Sequence, residues 1–549
     1  MSATPIDSTA PDDSAATSTD LALAKLMSGD AQDSGVTLGC TDMHNAERFV
    51  ALHGQDARFV SVWGKWIVWD GQRWQVAGVL HFAKDTARVI AGEAQEALDK
   101  AERRLALSDV ETLPPKDGSS MGEVVGKTLS PPEKRANNKA KAAADADMAK
   151  AKKMVRWATE SQMVARLNAM VEIAKSSLTI DHATLDADPW ILTVENGAID
   201  LKTGQLREHR RDDFCTKLAS VTFDAGAKCP TWDTFLARAM GGDVELVGFL
   251  ARLIGYGLTG DVSEHVVAFH YGAGANGKST FLGTINRMLG DYAAPAPRGL
   301  LFRARGERHP TELASLAGRR FVTCSEIEEG QAFDEALLKD LTGGDVISAR
   351  RMREDFWSFA PTHKLSLAGN HKPTVRGDDE GVWRRMRLVP WLVTIPREER
   401  DTDLPGKLAA ELPGILAWAV RGCLAWQCLA RQSQSSGLGE PASVLSATAT
   451  YRSENDTLGE FLRFHVTFEP GSAIARKDLR EAYTEFCRDN GSEPFGAKRF
   501  AGRLRGRGAT ETTVRNASNK PVDAWRGVRL ATDSERVANA TWQTDRAAP

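Results

Sequence analysis

Polar and apolar positions alternate over RFVSVWGKWIVWDGQRWQV, residues 58–76, where Trp63, Trp66, Trp69 and Trp74 are set around Gly64 and a DGQ turn. A period of two broken by tight turns predicts short strands, and tryptophans on so small a sheet are read as core rather than as a base-stacking surface. Helical spacing follows over residues 82–174, interrupted by LPPKDGSSMGEVVGKTLSPPEK, an exposed loop by its Pro, Gly and Ser content. Residues 134–157 form an Ala-rich helix with eight basic groups (Lys134, Arg135, Lys139, Lys141, Lys150, Lys152, Lys153, Arg156) against Asp145 and Asp147, read as a solvated face. ILTVENGAIDLKTGQLREH, 191–209, predicts two strands about KTGQ.

Farther along, the apolar runs HVVAFH (265–270), FVTC (321–324) and HKLSLAGN (363–370) predict buried strands, and FLGTINRML (281–289) has helical spacing. After a Ser/Gly-rich segment, 431–447, helical patterns return in DTLGEFLRFHV and ARKDLREAYTEFCRDNG. A basic helix, GAKRFAGRLRGRG (496–508), and two strands about a turn come next. Helices followed by a hairpin predict a winged helix. The expected fold class is therefore α/β, with an α+β N-terminal region before an ATPase core and a winged-helix domain after it. The boundaries read as a disordered acidic tail (1–36), an N-terminal region (37–225), the core (226–430), a linker (431–455), the winged helix (456–531) and a tail (532–549).

Length agrees, since 549 residues exceed one hydrophobic core. The formal net charge is only −3, so a nucleic-acid surface has to be local. No run of about 18 apolar residues and no signal peptide is apparent, which predicts no membrane partner. Seven scattered cysteines without a C-x-x-C pair fit a reducing cytoplasm and argue against a disulfide framework or a zinc site.

The chemistry concentrates between the strand and helix at 265–289. Gly272, Ala273, Gly274, Ala275, Asn276, Gly277, Lys278 and Ser279, with Thr280 behind them, match G-x-x-x-x-G-K-[ST] in full. Glycines let successive backbone N–H groups face phosphate oxygens, Lys278 can reach the β/γ-phosphates, and Ser279 offers a hydroxyl to Mg²⁺. Such a site needs a carboxylate beyond a neighbouring strand to hold metal or activate water. Glu326 is favoured, with Glu328 second, on one side if the FVTC strand continues. Asn370 ends the next strand and can bond a phosphate or water, while Arg384 and Arg385 precede a further apolar run. Residues 496–530 carry nine basic groups against Glu511 and Asp523, so Lys498, Arg499, Arg503 and Arg505 are candidate DNA contacts.

In order, the phosphate loop, SEIEEG, LLKDLTGGDVISARRM, LAGNHKP and DEGVWRRMRL resemble the superfamily 3 helicase domain, and more closely the phage and plasmid primase-helicase family related to the poxvirus helicase-primase. The resemblance covers roughly residues 40–530. It implies an AAA+-like core that binds ATP between subunits of a homo-hexameric ring around DNA, in the cytoplasm of a bacterial host. It assigns Lys278 and Ser279 to the phosphate loop, Glu326 to the acidic motif, Asn370 to the sensor and Arg384 or Arg385 to an arginine finger. It places a DNA-gripping hairpin at VISARRMREDFWSF, with Arg350, Arg351 and Arg353 facing single-stranded DNA in the pore and duplex at the C-terminal domain. Larger members carry an N-terminal primase. Only a short acidic tail precedes residue 40, so primase activity is not expected of this chain, and a separate primase or polymerase is left as a candidate partner. The remaining alternatives are an origin-melting initiator, a primase-helicase and a non-replicative NTPase.

Overall fold

The computed structural model describes residues 39–108, 130–303, 311–325, 327–352, 355–375, 380–432, 436–490, 494–516 and 518–536. The expected acidic tail and most of the Pro/Gly/Ser loop lie outside them. The chain divides into two compact units, one within residues 1–185 and 210–216, the other within 186–209 and 217–549. Residues 186–209 and 217–225 thus belong with the second unit, which differs from the expected N-terminal region of 37–225.

In the first unit the alternating segment forms antiparallel strands Ala57–Val60, Lys65–Trp69 and Trp74–Val76, with Thr179–Ile180 parallel beside the first. Trp66 and Trp74 are buried, while Trp63 and Trp69 are half-buried. Among the described residues four α-helices, Asp42–His53, Leu80–Ser108, Pro131–Ser161 and Val164–Leu178, complete the unit. The two long ones bury Ala87, Ala94 and Ala101 on one helix and Ala144, Ala151 and Ala158 on the other. Small residues seven apart keep one narrow seam in register along both helices.

The second unit begins with three antiparallel strands, Ile191–Val194, Gly197–Asp200 and Gln205–Arg207, one more than predicted. Asn196 causes the extra turn. Its amide donates to Phe223 O (3.0 Å) and its Oδ1 accepts from Phe223 N (2.8 Å), which pulls the chain out of line.

The central sheet contains β1 (Val267–Tyr271), β2 (Ala293–Pro295), β3 (Phe321–Cys324), β4 (Lys364–Gly369) and β5 (Met386–Pro390). All are parallel, in the order β5-β1-β4-β3-β2. The strands read as unbroken apolar runs because helices cover both faces. Helix α1 (Lys278–Leu289) follows β1. Helix Val244–Leu258 packs on Leu412–Gln432, where a Cβ on Gly422 would come within 2.0 Å of Ala251 O. Leu412–Gln432 is long and apolar enough to cross a bilayer, a feature the sequence reading did not register, yet 61% of its apolar window is buried inside the protein.

The expected linker at 431–455 is corrected over most of its length, because Ala442–Glu454 is a helix docked on β5. Leu388 N donates to Thr448 Oγ1 (3.0 Å) and Val375 N to Asn455 Oδ1 (2.9 Å). Tyr451 is fully buried against Phe269 and Trp383, and its hydroxyl donates to Pro373 O. The Ser/Gly content at 431–447 hid a helix whose stability comes from tertiary packing.

Beyond it, helices Thr457–Phe464, Arg476–Asp489 and Ala497–Gly506 surround Phe461, Tyr483, Phe500 and Trp525. Strands Ala473–Ala475, Pro521–Arg526 and Thr510–Arg515 form an antiparallel sheet in that order. The first residues of the expected 532–549 tail are anchored, since Glu535 Oε1 accepts from Arg529 Nη2 at 2.8 Å.

Candidate functional site

Parallel strands bring all their C-terminal ends to one edge of the sheet, the usual position of a ligand crevice. There β1 runs into the glycine loop. A Cβ on Gly272 would lie 2.1 Å from Trp391 O, and one on Gly277 (φ 91°) 2.8 Å from Phe235. Ala275 also takes a left-handed conformation (φ 61°), a local cost that the surroundings must hold in place. Those surroundings come from the chain after β5. Trp391 N donates to Tyr271 O (2.7 Å), and Ile395 N to Ala275 O (2.8 Å). Asn276 is buried, and its amide donates to Ala273 O (2.5 Å) and Trp391 O (3.0 Å). Gly274 has open space around it, and Ser279 is exposed in the first turn of α1, ahead of Thr280.

Lys278 is only 6% exposed. Its Nζ faces four oxygens: Gly272 O at 2.7 Å, Asn276 Oδ1 at 3.0 Å, Ala273 O at 3.1 Å and Asn370 Oδ1 at 3.2 Å. Burial pushes the ammonium down to about 8. Neutral oxygens favour the charge without cancelling it, so the site keeps an unneutralised cation for an anionic ligand. Asn370, at the end of β4, is thereby brought onto the phosphate loop.

Beneath the loop, His270 ties three strands together. Trp391 Nε1 donates to His270 Nδ1 (3.1 Å), so Nε2 carries the proton and bonds Ser366 Oγ (2.9 Å). Burial, with the Lys278 charge second, lowers this imidazole to about 3 and keeps it neutral. Nothing local in the sequence marks His270 or Trp391, because one looks like a strand residue and the other lies 115 positions from Asn276.

Glu326 lies outside the described residues. Glu328 is exposed, but the strand stops at Cys324, so alternation does not place the two carboxylates on one side. The intervening Ile327 packs at the end of β4, where a Cβ on Gly369 would come 2.7 Å from Ile327 Cδ1. Ile327 thus lies beside Gly369, the residue before Asn370. The exposed hydroxyl of Ser279 suits Mg²⁺, which takes few protein oxygens and fills its octahedron with water and phosphate. Among the described residues no cluster of three His, Cys, Asp or Glu side chains could hold a metal by itself.

The two arginines separate. Arg384 is exposed, whereas Arg385 is 7% exposed and donates from Nη1 to Gly381 O at 2.7 Å. A side chain buried in its own subunit is poorly placed to serve a neighbour's site.

A cavity of about 750 Å³ opens beside the loop, between helix Pro230–Ala239 and the segment after Ile395. Phe235, Arg238, Thr280, Ile395 and Leu404 line it. Thr280 belongs to the loop motif, whereas no local motif marks Phe235, Arg238, Ile395 or Leu404, which only the fold gathers there.

Two candidate nucleic-acid surfaces stand apart from the loop. Strands Ile347–Ala349 and Trp357–Phe359 form an antiparallel hairpin. Near its tip Arg350 is exposed, with its guanidinium 5.1 Å from the centre of the Phe356 ring, itself 59% exposed. Arg351 is half-buried over Trp357 at 5.6 Å, and Arg353 lies outside the described residues. On helix Ala497–Gly506, Lys498 is exposed and Arg499 sits 3.7 Å over the Phe495 ring. Arg503 faces Asp456 at 3.5 Å and Arg505 is paired with Glu511. Glu511 is already counted against these cations, and Asp456, outside residues 496–530, offsets part of the remaining excess.

Residues 46–241 match the family described as D5 N terminal like, and residues 270–385 match a family of unknown function, DUF5906. The chain is 28% identical over 324 residues to a proposed helicase, L207/L206, of Acanthamoeba polyphaga mimivirus, covering 56% of this chain and 34% of that one. It is 27% identical over 306 residues to a proposed helicase, 022R, of Frog virus 3, covering 52% and 30%. The chain thus spans about a third of the length of these curated relatives. The solved C-terminal region of NrS-1 (305–718) is similar at 9% identity and a TM-score of 0.36, covering 59% of this chain and 87% of that one.

Proposed function

We propose that this chain, which belongs to the phage and viral primase-helicase family, is an ATP-dependent DNA helicase that works as a ring of identical subunits, six by the family's pattern, in a bacterial host's cytoplasm. The meeting of Lys278 and Asn370 at the phosphate loop carries this reading, since it brings a buried cation from the start of α1 and a polar amide from the end of β4 to one place.

ATP would set its phosphates against the loop N–H groups and the N-terminal end of α1, replacing the carbonyls as partners of Lys278. The cavity beside Phe235 and Leu404 leaves room for the nucleoside. Mg²⁺, held through Ser279 and the Glu326 segment, would neutralise phosphate charge. Glu326, with Glu328 as the second candidate, would position the attacking water, and Asn370 would hydrogen-bond that water or the γ-phosphate. Arg384 would reach the phosphates bound by the next subunit.

The hairpin carrying Arg350, Arg351 and Arg353 would grip single-stranded DNA in the ring. The C-terminal domain, whose elements follow as helix, strand, helix, helix and hairpin, would act as a winged helix and bind duplex through Lys498 and its neighbours. The test is ATP hydrolysis with and without single-stranded DNA, together with displacement of a strand from a forked duplex. Hydrolysis and origin melting without sustained displacement would replace the helicase reading with an initiator. Primer synthesis from nucleoside triphosphates would add a primase.

A further inference from the structure

Helix Pro131–Ser161 has a charge distribution that the nucleotide site does not use. All eight of its basic residues, Lys134 to Arg156, are exposed. At 100° per residue they fall within an arc of roughly 180° opposite the buried Ala144, Ala151 and Ala158. The helix has a net charge of +4, whereas its partner Leu80–Ser108 is balanced, in a chain of −3 overall. Charge has been segregated onto the outer face of one helix. Lys134 and Arg156 are about 33 Å apart along the axis, close to one turn of B-form duplex. At one point the cationic surface wraps around the seam. A groove of about 330 Å³ between the two helices is lined by Lys100, Arg104 and Lys150, with Asp147 paired to Arg104 at 2.5 Å.

We propose that this face is a nucleic-acid contact that follows the phosphate backbone without reading sequence. A helix that lies on a membrane needs a free apolar face, and here the face opposite the cations is the alanine seam, occupied by the partner helix. The outward positions between the cations, such as Asn138, Ala142 and Ala149, are small or polar and offer nothing to insert into lipid. A polyanion of regular charge spacing fits the surface. The inference does not depend on ATP hydrolysis.

Anisotropy of a labelled duplex and of labelled single-stranded DNA, titrated over a salt series with the full chain, tests it. Lys150, Lys152 and Lys153 are changed to Gln. A control carries the same change at the exposed Lys84, Lys228 and Arg431, matching the loss of net charge. Circular dichroism verifies that both remain folded. If three phosphate contacts are lost, the log–log salt slope falls by about 2.7 and low-salt affinity by about tenfold or more, with the control near the parent. Changing the three lysines to Arg should preserve both. Equal effects in test and control would overturn the proposal, as would parental affinity and slope in the test variant. Loss of binding to phosphatidylserine-containing vesicles with DNA binding unchanged would also overturn it.

Discussion

Lys278 Nζ lies 3.2 Å from Asn370 Oδ1, so the loop after β1 and the end of β4 share one hydrogen bond before any ligand arrives. The contact joins two of the motifs that the sequence presents 92 positions apart.

Removing the cation should abolish turnover without harming the fold. Lys278→Ala is expected to lower the ATP hydrolysis rate by about 10²–10³, the loss typical of a deleted transition-state donor. Its thermal midpoint should match or exceed the parent's, because burial already disfavours the charged group. Asn370→Asp should behave differently. A carboxylate at this distance would hold the ammonium as an ion pair and repel phosphate, weakening nucleotide affinity while raising the midpoint. Hydrolysis by Lys278→Ala at the parental rate would remove the site assignment.

Proton uptake gives a second handle on Lys278. Its ammonium is lowered from 10.5 to about 8, and bound phosphate favours the charged form. Between these values the free protein holds the amine neutral while the unfolded chain protonates it. This group's contribution to free-protein stability therefore rises with pH across that window. Nucleotide binding should draw in a proton there, and affinity should fall as pH rises. Calorimetry at pH 8.5 in two buffers of different ionisation enthalpy measures the uptake directly. Identical heats would show that the amine is already fully charged.

Arg384 and Arg385, adjacent in sequence, should fail in different ways. Arg384→Ala is expected to fold normally, assemble and lose hydrolysis, with activity partly recovered when it is mixed with Lys278→Ala subunits. Arg385→Ala removes a buried guanidinium from its bond to Gly381 O, so it should lower stability by about 2 kcal/mol or more. Melting curves and mixed-ring assays separate the two. Recovery by Arg385→Ala but not Arg384→Ala would reverse the assignment.

Legibility followed the range of the signal. The strand–loop–helix around Lys278 could be read because its chemistry is local and its glycines meet stated steric needs. The buried runs leading to Cys324 and Asn370 could be read as strands for the same reason. The role of Trp391 could not, since its carbonyl acts through a strand pairing formed only in the folded sheet. Helix Ala442–Glu454 has weak amphipathic character and small residues, so only its docking on β5 reveals it. Composition sets Glu511 against the nine cations of 496–530 but cannot show that Asp456, outside that segment, faces Arg503 in the fold.

The docked helix also decides where the C-terminal domain can be cut. A deletion beginning at residue 450 would remove Tyr451, which is fully buried beside Phe269, and would damage the core that holds β1. Deleting from Thr457 onward leaves that helix in place. The shortened chain should keep basal hydrolysis, because every residue proposed at the nucleotide site, Leu404 included, precedes Thr457. It should bind duplex more weakly and with a shallower salt slope, since Lys498, Arg499 and the exposed Arg507, Arg515 and Lys520 go with it. Phe356→Ala, in contrast, should leave duplex affinity unchanged and slow fork unwinding, because an exposed ring stacked by Arg350 can meet a base from single-stranded DNA. Duplex affinity over a salt series and fork displacement, measured on both variants, resolve the two surfaces. A Thr457 truncation that retains the parental salt slope would remove duplex binding from the C-terminal domain. Parental unwinding by Phe356→Ala would take base stacking away from the hairpin and leave its arginines as phosphate contacts alone.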